Sequence, residues 1–201
     1  MNSFGLAGLF SSISFSALAI VVLIHDFKSK LNIRFVMFLL GVAWWTWGVY
    51  KIVQAGSAQE AVFWWRISHI GVILIPIVFL HFVYVLLELP KKTLVYISYC
   101  VGALFLIVDT TPYFIVSMRL VFDSFYYISS PGLMYSLFVA FFAVLVIYGH
   151  ALLFIFYRKS VGMRKKQIFN IFLGGLIGFL GGLLHSYPSF VLIYILLSER
   201  L

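Results

Sequence analysis

Few side chains in this sequence can do chemistry inside an apolar run, and two of them share one stretch. Residues 61–90 read AVFWWRISHIGVILIPIVFLHFVYVLLELP, with Trp64, Trp65 and Arg66 near the start, His69 a turn further on, Pro76 at mid-length and His81 beyond it. Polar groups in hydrocarbon are expensive and usually point into a protein interior or a wet cavity. This stretch is therefore expected to line whatever pocket the protein has. Trp64, Arg66 and His69, joined by Trp45 and Trp47 from the preceding run and Arg119 from a later one, would make an aromatic and cationic site for a small ligand. Pro76 removes one helical hydrogen bond and is expected to act as a hinge. His81 and His150 fall about 30 Å and about 27 Å along their respective segments at 1.5 Å per residue. Two imidazoles at one depth are what axially ligated haem b requires, so this pair is a weak candidate for it. No other cofactor is expected, and no metal-ligand spacing is present.

Composition sets the surroundings in which these groups must act. The chain has 201 residues, of which 64% are hydrophobic, 19% aromatic and only 10% charged, with a mean hydropathy of +1.11. A soluble domain carries about 25% charged residues, so most of this surface must face lipid. The formal net charge of +8 is gathered in short clusters between apolar runs, which is topological information and does not suggest nucleic-acid binding. Cys100, the one cysteine, has no partner for a disulfide within the chain and reads as a structural thiol.

Spans of about 20 apolar residues cross a hydrocarbon core of about 30 Å. That length places helices near 4–24, 33–53, 61–87, 94–108, 132–157 and 168–184, with a partial seventh over 190–197. The expected fold is an all-α integral membrane bundle: one polytopic domain over 1–201, six full spans, a short seventh and no soluble output domain. Basic residues cluster in alternate connections: Lys28, Lys30 and Arg34, then Lys91 and Lys92, then Arg158, Lys159, Arg164, Lys165 and Lys166. The positive-inside bias puts those connections in the cytoplasm and the N-terminus outside. Lys91, Lys92, Arg164, Lys165 and Lys166 are then the expected contacts for a cytoplasmic partner.

Two external connections remain. Residues 54–60 join ends rich in tryptophan, which read as an interfacial belt, a pocket wall, or both. Residues 109–131, DTTPYFIVSMRLVFDSFYYISSP, form the longest connection, and the run 113–122 is expected to make a short hairpin or a partly immersed helix. A loop of this length suits a lid or a cap. Asp109, Glu60 and Asp123 are placed at the outer surface and Asp26 and Glu88 at the inner one, leaving no carboxylate mid-membrane for a proton relay. In the last helix Gly174, Gly178 and Gly182 repeat at the small-xxx-small spacing of close helix packing, within the bundle or in a homodimer. No phosphate loop or nucleophile elbow is present, and an enzyme is not expected.

Phe63 and Trp64 followed by Arg66, Gly71, Pro76 and Phe82, the external segment 122–132, and Arg164-Lys165-Lys166-Gln167 opening a glycine-rich helix together resemble the N-terminal seven-helix sensor region of bacterial membrane histidine kinases. The resemblance implies an N-out, C-in input module in a bacterial cytoplasmic (inner) membrane, coupled to an output domain that this sequence does not contain. Three functions are expected in descending order. The first is a sensory, receptor-like module binding a small ligand or partner near the outer leaflet. The second is an accessory subunit of a larger membrane complex, and the third a haem-bearing electron carrier. Membrane lipids and a protein partner in the cytoplasm or membrane are expected.

Overall fold

A computed structural model describes residues 3–121 and 125–186. Six helices and one hairpin follow in order: α1 (Ser3–His25), α2 (Lys30–Val53), α3 (Ala58–Leu86), α4 (Thr93–Asp109), β1 (Ile115–Val121), β2 (Phe125–Pro131), α5 (Leu133–Lys159) and α6 (Gly162–Ser186). α1, α2, α3 and α5 are long and apolar enough to cross a membrane, and α4 is a shorter apolar helix. The chain is an all-α membrane helical bundle with a small hairpin inserted in it. The seventh run expected over 190–197 lies outside the described residues. The chain forms two compact units, residues 1–145 and 146–201, with α5 beginning in the first and ending in the second.

Local sequence sets the helix ends in the first unit. Ser29 caps α2 by accepting from the Asn32 amide, and Ser57 caps α3 by accepting from the Glu60 amide. The Glu60 carboxylate reaches back to the Gly56 amide at 2.9 Å, so a serine and a glutamate three residues apart close the turn together. α3 ends where Glu88 takes a left-handed conformation at φ 56° and the Leu89 amide donates back to the Tyr84 carbonyl, one residue before Pro90.

α3 is the central helix, with 78% of its most apolar window buried against 11% for α1. A helix apolar on all sides and buried on all sides needs close neighbours, and small residues admit them. A Cβ on Gly71 would stand 2.7 Å from the Gly41 carbonyl, and one on Gly48 would stand 2.5 Å from the Ser68 Cβ. Hydroxyl and indole donors stitch the same seams. Ser12 donates to the Ala43 carbonyl at 2.9 Å, Ser68 to Trp45 at 3.2 Å and the Trp44 indole to Ile67 at 2.7 Å. α3 and α4 run antiparallel, and their contacts step in register: His69 meets Asp109, Ile77 fills the space beside Gly102, and His81 meets Tyr99. Pro76 is fully buried, and α3 continues through it.

The run after α4 resolves to a hairpin, one of the two expected forms. β1 and β2 pair antiparallel, with Met118 opposite Ile128 and Arg119 opposite Tyr127, and the register shifts on either side of Ser117. Phe114, Ile115, Tyr127 and Ile128 point inward and join Ile73 and Phe138 in or beside one buried cluster. The base of the hairpin is pinned to the start of α5. The Gly132 amide donates to Phe114 and the Met134 amide to Tyr113, and a Cβ on Gly132 would collide with the Tyr113 carbonyl. Burial pushes the Tyr127 phenol up to about 12.

Candidate functional site under the hairpin

A buried salt bridge joins His69 Nδ1 to Asp109 Oδ1 at 2.7 Å, with the two residues 1% and 3% exposed. Asp109 was expected at the outer surface. It is instead the last residue of α4, turned inward against α3. The reason is energetic: the buried imidazole of His69, about three turns into α3, needs a partner, and a carboxylate brought in from the neighbouring helix satisfies both. With the carboxylate ionised, Nδ1 carries the proton and donates it. Nε2 then points the other way, and it has no hydrogen-bond partner among the described residues. It is an acceptor when the ring is neutral and a donor when the ring is charged.

Aromatic rings close around this pair. The His69 ring lies 5.6 Å from Trp65, 5.3 Å from Phe114 and 6.0 Å from Tyr135 between centroids. Phe114 is wholly buried and rests on Phe105, Tyr135 and Phe138. The Trp65 indole donates to the Tyr126 carbonyl at 3.4 Å and meets Tyr127 edge-on at 5.7 Å, which ties α3 to β2. The hairpin therefore roofs a polar pair whose walls are aromatic. Rings of this kind exclude water, which strengthens the hydrogen bond they enclose.

The residues predicted for one site divide between two faces of α3. Trp64 meets Trp47 edge-on at 5.5 Å, and Lys51 Nζ lies 4.7 Å over the Trp64 ring. Successive residues on a helix point about 100° apart, and Trp64 meets α2 while Trp65 meets His69 and the hairpin. Trp64 and Trp47 form an α2–α3 ladder with the half-exposed Trp44, whereas His69 faces α4 and the hairpin. Trp45 offers its backbone carbonyl to Ser68. Arg66 is half-buried, with its Nε enclosed and without a partner among the described residues. Arg119 is exposed on β1. Trp65, Asp109, Phe114 and Tyr135 were not among the residues expected to bind the ligand, although Asp109 and Phe114 fall in the connection expected to form a lid. The usable signal was Asp109 itself, a carboxylate ending an apolar helix at the end of the bundle where His69 lies.

The remaining expected residues are placed as follows. Lys91 is exposed and Lys92 half-buried just after α3, and Arg164 and Lys166 are exposed at the start of α6. Lys165 lies with Nζ 4.9 Å over Tyr157. His81 Nδ1 is 3.3 Å from the Tyr99 hydroxyl in the first unit. In the second unit His150 Nδ1 donates to the Val146 carbonyl at 2.8 Å, with its ring edge-on to Phe172 and Phe179. Nothing described lies within 4 Å of a Cβ built on Gly174 or Gly178, while Gly182 makes a contact. The described residues contain no group of three or more metal-ligating side chains.

Residues 8–197 match the family model described as the N-terminal 7TM region of histidine kinase. No curated protein and no solved structure matches the chain. The family is a sensor region distinct from the catalytic kinase domain. A match over nearly the whole chain, on a helical membrane bundle with a capped polar pair beside its central helix, shows that the protein belongs to the family of N-terminal seven-transmembrane regions of histidine kinases.

Proposed function

We propose that this chain is the sensory input module of a signalling system in a bacterial cytoplasmic membrane, and that it senses at the His69–Asp109 pair beneath the hairpin. The observation that carries this reading is that pair: a buried imidazole and carboxylate, sealed by Trp65, Phe114 and Tyr135, with Nε2 turned away from its partner. A structural ion pair of this kind stabilises no better than apolar packing would, so its presence invites a role in switching. A small ligand reaching Nε2, or a partner displacing the hairpin, would bind one arrangement of α3 and α4 more tightly than another and shift their balance. Pro76 offers the place where α3 yields, and the basic residues Lys91 and Lys92 in the first unit, and Arg164, Lys165 and Lys166 in the second, are each places where a cytoplasmic partner reads the change.

The test is a thermal-shift screen of the full chain in mild detergent against small polar metabolites, run in parallel on Asp109→Asn. The reading predicts compounds that raise the melting temperature of the wild type and leave the variant unmoved. It fails if every stabilising compound acts equally on both. Neither a cofactor nor an enzymatic step belongs to this reading.

A further inference from the structure

At the opposite end of α3, four polar groups from three helices and their connections converge. His81 sits on α3 with Nδ1 at 3.3 Å from the Tyr99 hydroxyl of α4, and the two rings stand 5.9 Å apart. Arg34 lies on α2 next to Phe35, whose ring is 5.2 Å from Phe82, the neighbour of His81 on α3. Lys92 occupies the N-cap position of α4, seven residues and so about two turns before Tyr99 on the same face. The charges of Arg34 and Lys92 both act on His81, and that of Arg34 acts also on Tyr99.

What distinguishes this end is the lack of compensation. Among the described residues no carboxylate lies within salt-bridge range of Arg34 or Lys92. Arg34 makes its described hydrogen bond to the Met37 sulfur, a weak acceptor, at 3.1 Å. Asp26, the acid that precedes α2, is already occupied by the Lys28 and Ser29 amides. Arg34 and Lys92 thus stand at the His81–Tyr99 pair with no carboxylate in salt-bridge range among the described residues, while Glu88, at the same end of α3, is exposed and has an interaction of its own. Alongside them the α2 and α4 surfaces are apolar and exposed: Met37 and Leu40 on one, Leu94 and Ile97 on the other. An anionic group with hydrocarbon attached would satisfy both features at once, the phosphate among the cations and the acyl chains along the helices.

We propose that Arg34, Lys92, Tyr99 and His81 form a site for the headgroup of an acidic phospholipid at the end of the bundle that carries Lys91 and Lys92. Arg34 and Lys92 hold the phosphate, and the Tyr99 hydroxyl donates to a phosphate or glycerol oxygen. His81, buried behind Tyr99, is a positioning residue that keeps the phenol oriented outward.

The experiment is native mass spectrometry of the full chain released from uncharged detergent after addition of phosphatidylglycerol or phosphatidylcholine. The wild type is expected to retain phosphatidylglycerol about tenfold better, and the Arg34→Gln/Lys92→Gln pair to lose that preference, since each basic group near an anionic membrane surface contributes a several-fold effect. The control Lys28→Gln/Lys30→Gln removes the same charge from exposed positions nearby and is expected to keep the preference. Tyr99→Phe leaves every charge in place and is expected to lower retention about threefold. Equal retention of the two lipids overturns the proposal, as does an equal loss in the control pair. Displacement of the lipid by millimolar inorganic phosphate would assign the site to a free anion and likewise overturn it, and so would a Tyr99→Phe variant with the full preference.

Discussion

α3 carries two histidines, each meeting α4, and the two ends of the helix treat them differently. His69 meets a carboxylate, is sealed by three aromatic rings and is roofed by a hairpin. His81, twelve residues on and about 18 Å away along the helix, meets a phenol and looks toward uncompensated cations. One end is neutralised from within, and the other awaits an anion from outside. The difference shows that a buried polar residue on a membrane helix says little until its partner on the next helix is known. An internal partner makes a switch or a staple, and a missing one marks a binding site.

The comparison can be broken first where the expected effect is largest. Asp109→Ala leaves His69 buried without its carboxylate and is expected to cost about 3–5 kcal/mol, measured by reversible unfolding in mixed micelles. His69→Leu/Asp109→Leu removes both partners and is expected to be milder than either single change, because nothing buried is left uncompensated. A Tyr99→Phe loss as large as that of Asp109→Ala would erase the distinction between the two ends.

Next in size come the helix seams that hold both ends in register. Gly71→Ala drives a methyl against the Gly41 backbone and is expected to cost about 1–3 kcal/mol, whereas Gly174→Ala, with nothing described within 4 Å, is expected to leave stability level or raise it. Parallel thermal melts check the pair. The hairpin sharpens the His69 end. Tyr127 is held neutral by burial, its phenol raised from 10.0 to about 12. Its contribution to hairpin docking is therefore complete below pH 10, declines as pH rises and is gone above about pH 12. Hydrogen exchange of the β1 and β2 amides should accelerate across that window, and more gently in Tyr127→Phe. The smallest effect belongs to the His81 end: Tyr99→Phe is expected to cost about 1 kcal/mol or less, read from the same unfolding assay as Asp109→Ala.

Much of this architecture was legible in the sequence because hydropathy and charge act locally. The length of each apolar run and the family resemblance needed only neighbouring residues. The hairpin was one of two readings of 113–122, and its inward positions Phe114 and Tyr127 follow from pairing that composition alone leaves open. The site was less legible because it depends on helix rotation. Hydropathy is blind to which way a uniformly apolar helix faces, so Trp64 was expected in the site and Trp65 was left out of it, although Trp65 is the one that lies beside His69. Asp109 looked like a surface acid because a residue at a helix end is a candidate for either environment until the neighbouring helix is placed. Close glycine packing was anticipated at Gly174, Gly178 and Gly182, and the tight seams of the first unit lie at Gly48, Gly71 and Gly102, where no repeat advertises them.

The central claim, sensing at the His69–Asp109 pair, is tested most directly by purifying the wild type and Asp109→Asn from their own membranes in mild detergent and weighing what each carries. The account predicts a small molecule held by the wild type and lost from a folded Asp109→Asn. Identical cargo on both proteins, or a wild type that emerges only as a fixed complex with other membrane subunits and no ligand, would contradict it.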